Sequence, residues 1–247
     1  MARITWDALG ERKYEIGTDR GVFYSYEGGL YVNGLPWNGL TGVSDSNGGR
    51  EASTLYSGGI KVDTAYNSEE YSGVIKCYTY PDEFEKYLGV AELKQGVFIR
   101  QQDREMFGLC YRTFVGNDTE GTEYGYKLHL VYNCVVKDFS RNYSTVNESI
   151  ELGQTEITFE TYPQEMEDDT YKPVSEIIID SRCIRSSMMQ VLESILYGDE
   201  ENTARLPLPD ELLELLYEPQ PIPPEWYLYP NPLIYPDSTL YPEAQEG

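Results

Sequence analysis

His129 is the only histidine among the 247 residues. An imidazole acting as general base needs a nucleophile in reach, and a GxSxG elbow or a reactive cysteine is the usual sequence trace of one. No such elbow occurs, and His129 alternates within a strand-like run, YGYKLHLVY. It reads as a strand histidine with a local partner. A lone histidine also rules out most His-based metal sites. Cys77, Cys110, Cys134 and Cys183 form no CxxC pair; they read as reduced, partly buried thiols of a protein made in a cytosol. Carboxylates cluster at Glu69-Glu70 and in the run Glu165-Met166-Glu167-Asp168-Asp169. Glycoside hydrolysis needs two carboxyls facing across a cleft, and neighbours in sequence do not supply that; solvated loop charge is the simpler reading. The loops around Asp45 and Asp118 mix oxygen ligands, but neither has EF-hand spacing. No Walker A or GxGxxG phosphate loop is present. The expectation is a protein without catalytic residues, metal or cofactor.

Charge narrows the partners. Forty-two acids against 19 bases give a net charge of -23. Binding DNA by phosphate neutralisation needs clustered Lys and Arg, so the charge balance argues against that role. It does not argue against working beside DNA without sticking to it. The opening residues MARITWDALGERKYE hold no apolar signal-peptide core, and no apolar run approaches the roughly 18 residues of a membrane span.

The elements that would position these side chains are mostly strands. Segments with strand character are Gly21–Glu27, Gly73–Tyr80, Val97–Gln101, Phe107–Val115, Gly125–Val136, Glu156–Tyr162 and Val174–Asp180. In Gly125–Val136, Tyr126, Leu128, Leu130 and Tyr132 share one face, and Lys127, His129, Val131 and Asn133 the other. The turn-rich GNDTEGTEY before it predicts a long antiparallel hairpin with a polar tip. Asn47-Gly48-Gly49 and Gly58-Gly59 bracket REASTLYS, which has no clear period and reads as a long functional loop. Pro81-Asp82-Glu83-Phe84 opens a short helix that Gly89 could cap. A second helix spans about Cys183 to Tyr197, with Ile184, Met188, Val191, Leu192, Ile195 and Leu196 on its apolar stripe and Gly198 as its stop. A third starts near Pro209. Tyrosine is over-used, 23 against 7 Phe, which suits strands and interfaces alike.

Beyond Tyr217 the composition changes. Ten of the fourteen prolines lie at or after Pro207, and no basic residue follows Arg205. Tyr-Pro recurs every six residues at Tyr229, Tyr235 and Tyr241. Proline this dense predicts an extended or disordered extension over 218–247, after a β-domain over 1–217.

A series of phrases in one order resembles the major tail tube protein of long-tailed (siphovirus) bacteriophages. They are ITWD at Ile4–Asp7, TDRGVFY at Thr18–Tyr24, WNGLTGV at Trp37–Val43 and CYTYPDEF at Cys77–Phe84. MFGLCYRTFVGND at Met106–Asp118, YGYKLHLVY at Tyr124–Tyr132 and STVNES at Ser144–Ser149 follow. Lys172-Pro173, ILYG at Ile195–Gly198 and LPLPDE at Leu206–Glu211 complete the series. The resemblance implies a mainly β fold: an antiparallel sandwich or barrel-like domain with a flanking helix. It implies self-assembly into hexameric rings that stack as a hollow tube, through which DNA passes without specific binding during ejection. It implies as partners other copies of the chain, the tape measure protein, the tail terminator and the distal tail protein. The location would be the virion, after synthesis in the host cytoplasm. The family brings no catalytic residues. Candidate assembly residues are Leu130 and Tyr132 in the long strand, Leu55 and Tyr56 in the Gly-flanked segment, and Trp226, Tyr229, Tyr235 and Tyr241 as tail anchors. A carbohydrate-binding β-sandwich of a phage or cell surface is the alternative, and a carboxylate-based hydrolase the third class.

Overall fold

The computed structural model describes residues 4–48, 52–57, 60–66, 70–143, 153–167, 170–200 and 202–216. These fall almost wholly within the unit that ends at Leu215. The extension over 218–247, with its four aromatic anchors, lies outside the described residues, as does Ser144–Ser149.

The protein is mainly β and antiparallel. In chain order the strands are β1 (Lys13–Glu27), β2 (Leu30–Pro36), β3 (Leu40–Asn47), β4 (Ala52–Ser57), β5 (Ile60–Tyr66) and β6 (Tyr71–Cys77). They continue with β7 (Ala91–Lys94), β8 (Val97–Ile99), β9 (Phe107–Asn117), β10 (Gly121–Arg141), β11 (Thr155–Thr161) and β12 (Glu176–Asp180). A 3₁₀ helix spans Asp82–Leu88, α1 spans Ser186–Tyr197 and α2 spans Pro209–Leu215. All the strand segments read from the sequence carry strands.

Eight strands form one sheet, in the order β2-β1-β9-β10-β11-β6-β3, with β12 also paired to β10. β10 is the axis. Its first part pairs with β9 and β12, so that Leu130 faces Cys110 on one side and Ile177 on the other. Its last part pairs with β11, Val136 facing Phe159. Near the changeover sits Asn133, with φ 48°, and the β9 register shifts between Val131 and Cys134. Asn tolerates this left-handed backbone. Tyr31 holds it: the phenol donates to Asn133 Oδ1 at 2.8 Å and accepts from the Asn133 N–H at 3.0 Å. The β9–β10 tip is polar as expected. Asn117 Oδ1 accepts from the N–H groups of Thr119 and Glu120, a side-chain-closed turn.

Alternation in β10 sorts the faces, yet both are buried from Leu128 to Cys134. One face lies under α1: Tyr24 donates to the Leu196 carbonyl at 2.7 Å, and Tyr126 to Glu193 Oε1 at 2.6 Å. The other face joins an aromatic core. There Phe84, delivered by the 3₁₀ helix, has ring centroids 4.7 Å from Trp37, 5.3 Å from Phe23 and 5.1 Å from Phe107. Gly89 ends that helix at φ 73°, and a Cβ there would lie 2.7 Å from the Gln102 carbonyl, so only glycine makes the stop. The sheet curls until the residues leading into β3 meet β1. The Trp37 N–H donates to the Gly21 carbonyl at 2.7 Å, and a Cβ on Gly21 would stand 2.7 Å from Leu40.

Two sequence expectations need correction. α1 starts at Ser186, and its buried residues are Met189, Leu192 and Leu196, while Val191 is half exposed. Apolar residues fill two adjacent columns of this helix, so periodicity left two stripes to choose between. The segment around Leu55 is a strand, not a loop: β4 pairs antiparallel with β5. Two β-forming runs separated by Gly-Gly are a hairpin signal, and the irregular period of REASTLYS hid it.

Candidate assembly surfaces

The groups with catalytic potential are used in structure. His129 lies on β10 with its ring stacked on Tyr111, centroids 4.5 Å apart. Nδ1 is 2.9 Å from Glu176 Oε1 on β12, and Nε2 is 3.0 Å from Thr113 Oγ1 on β9. Lys127 reaches Glu15 on β1. Partial burial pushes the Glu15 carboxyl up, but hydrogen bonds from Lys127 and Thr113 outweigh it and hold the group below its usual range. The two carboxylates flank opposite nitrogens of one ring, so they do not converge on a metal position. Among the described residues no cluster of His, Cys, Asp and Glu could hold a metal. The Asp118 carboxylate accepts from the Gly10 N–H at 2.8 Å, and Asp45 lies in a strand, β3, opposite Gly73 rather than in a loop. Cys77, Cys110 and Cys134 are buried free thiols on strands, and Cys183 is exposed. Burial raises the Cys110 thiol to about 12, which makes it inert as a nucleophile.

What remains unexplained by the subunit is apolar surface. β4 and β5 form a two-stranded sheet of their own, and so do β7 and β8. On the first, Leu55, Tyr56, Ile60 and Val62 are each more than 60% exposed. On the second, Leu93, Val97, Phe98 and Ile99 are exposed. A third projection precedes β1. Ile4, Trp6 and Leu9 stand in solvent beside a turn fixed by Asp118 at the β9–β10 tip. An isolated two-stranded hairpin is marginal in water, and clustered exposed apolar side chains mark interaction sites.

The candidate assembly residues divide accordingly. Leu130 and Tyr132 are fully buried inside the subunit, and the Tyr132 hydroxyl donates to the Pro207 carbonyl at 3.1 Å. Leu55 and Tyr56 are exposed on the β4–β5 hairpin. The sequence reading missed β7–β8 as a projecting hairpin and missed the exposure of Trp6. Two short apolar-containing runs on either side of Gln95-Gly96, ending at Leu93 and starting at Val97, were the available signal. Trp37 is in the core, so it offers no sugar-stacking face.

No protein-family model matches the chain, and neither does any curated protein. Solved structures show some likeness. One is the PVC sheath-tube complex of an extracellular contractile injection system in its extended state, 15% identical over 65% of this chain and 88% of that one, with TM-score 0.34. Another is the tube-terminating cap of the anti-feeding prophage, 14% identical over 73% of this chain and 100% of that one, with TM-score 0.36. A third is the baseplate of the same particle, 9% identical over 71% and 97%, with TM-score 0.33. Likeness at this level carries no argument for function.

Proposed function

We propose that this chain is a non-enzymatic, self-assembling subunit of a phage-type tail, and that its copies form stacked rings around a conduit for DNA. The observation that carries this reading is the contrast within one subunit. The main sheet has both faces covered over its central strands, while apolar side chains on three projections are exposed among the described residues. Contact with further copies is the economical cover, because an assembling subunit must hide such surface without help from its own core. The resemblance of the ordered phrases to siphophage tail tube proteins favours a particular kind of assembly: hexameric rings, with the tape measure, terminator and distal tail proteins as neighbours in the virion. The acidity suits a bore that DNA must leave, since duplex carries one charge per roughly 1.7 Å and a basic wall would hold it. Negative-stain microscopy of the purified protein tests the reading. Rings or tubes are expected; a monodisperse monomer at all concentrations and salts would overturn it.

A further inference from the structure

A cleft of about 450 Å³ opens between the 3₁₀ helix, β2 and the β7–β8 hairpin. Its apolar lining is Leu35, Val90 and Phe98, and Asp82, Glu83 and Glu92 carry acid to it. The basic group in its lining, Lys86, is already drawn to Glu105 at 2.9 Å, so the rim presents negative charge. Among the described residues, none of β4–β5 lines this cleft. The hairpin carries complementary groups at its turn end, with exposed Asp63 further along β5. Tyr56 pairs with Lys61 across its ladder, and cross-strand partners stand on the same face. One aromatic ring and one ammonium, both exposed, therefore project side by side near its turn.

Resting on the reading of this chain as an assembling subunit, we infer that the β4–β5 hairpin of one copy docks into this cleft on a second copy. The Tyr56 ring enters the apolar floor, and Lys61 meets the rim carboxylates. A volume of this size holds one or two side chains rather than a whole strand, given that small-molecule pockets run from about 300 to 1,000 Å³. The contact joins two different patches of the same chain. It is therefore heterologous, and it propagates around a ring or along a stack instead of ending at a dimer. Tyr and a desolvated charge pair are the groups that dominate such interfaces.

The test uses the full chain. Lys61→Glu places like charge against the rim and should raise the protein concentration needed for assembly by on the order of tenfold or more. Glu83→Lys with Glu92→Lys, added to Lys61→Glu in one chain, should recover most of that loss. Independently, Tyr56→Cys and Phe98→Cys are made in separate Cys183→Ser chains, mixed, assembled and oxidised. Both positions are exposed, so subunit melting should be unchanged. A disulfide-linked heterodimer between these two cysteines is expected. Particles that form without this crosslink, or whose hairpin cysteine links elsewhere, would overturn the docking while leaving the tail-subunit reading intact. Absence of particles from the unsubstituted chain would instead overturn the reading on which the docking rests.

Discussion

The main sheet and the two small hairpin sheets obey opposite rules within one chain. On β10, Leu128, Leu130, Val131, Tyr132 and Cys134 are all fully buried. On β4–β5 and β7–β8 the described apolar side chains face solvent although the strand chemistry is the same. A strand's stability comes from what its side chains touch rather than from its backbone preference alone. The subunit completes its own fold at β10, while the described apolar side chains of the hairpins stay exposed. Damage to β10 should be read in the monomer, and damage to the hairpins only in the assembly.

The largest effect is expected at the centre of the sheet. Leu130 is paired on both sides, to Cys110 and Ile177. Leu130→Pro removes a ladder donor and crowds the strand, a change that costs about 3 kcal/mol or more even in regular helices and is excluded from central strands. Purified variant should lack a cooperative thermal transition by circular dichroism. A native-like melt would show that β10 is not the axis of the fold.

Next comes the hairpin. Leu55→Asp with Tyr56→Asp should leave the monomer's stability within about 0.5 kcal/mol, as exposed substitutions usually do, yet abolish rings and tubes. If this variant assembles normally, the exposed apolar surface of β4–β5 is incidental. Destabilised monomers would instead place Leu55 and Tyr56 in the subunit's own core.

How much of this was legible beforehand depended on period. Gly125–Val136 announced itself because its apolar residues alternate, and the polar hairpin tip was written in GNDTEG. Gly89 and Gly198 marked helix ends because glycine has few other reasons to stand there. The β4–β5 hairpin was not legible, because Thr54-Leu55-Tyr56 lacks alternation, and the adjacent Leu55 and Tyr56 are both exposed. The burial of His129 and Asn133 was hidden for the converse reason: alternation predicts a wet face, but the curl of the sheet and β12 cover it. The cleft could not be foreseen at all, since it unites Leu35 of β2, Val90 of the link after the 3₁₀ helix and Phe98 of β8.

A smaller effect is expected from the extension. Residues 218–247 would span up to roughly 90 Å if extended at about 3.1 Å per residue, enough to cross a neighbouring copy. Prolines limit its freedom before it binds, so ordering it costs less than ordering a Gly/Ser chain. Truncation after Tyr217 should leave the monomer's melting temperature unchanged and lower that of the tubes by a few degrees. Tubes of unchanged stability would remove Trp226, Tyr229, Tyr235 and Tyr241 from the assembly.

Acid should separate the two regions most gently. Three carboxyls tied to the main unit sit below their usual range. A hydrogen bond from Arg182 lowers Asp180, one from Arg205 lowers Glu211, and Lys127 and Thr113 overcome burial at Glu15. A carboxyl lowered in the folded state stabilises it fully above the unfolded value, about 4, and loses that contribution as pH falls through the folded value. All three are partly exposed, so solvent screening keeps each share small. The monomer's melting temperature should therefore drop as pH falls below about 4. Asp180→Asn should flatten that slope, because the Arg182 contact no longer depends on a proton. The Leu55→Asp, Tyr56→Asp hairpin variant retains all three pairs, and its core should show the slope they impose. If Asp180→Asn leaves the slope untouched, the Asp180–Arg182 pair at the end of β12 contributes nothing to the stability of the sheet, and the acid response has another source.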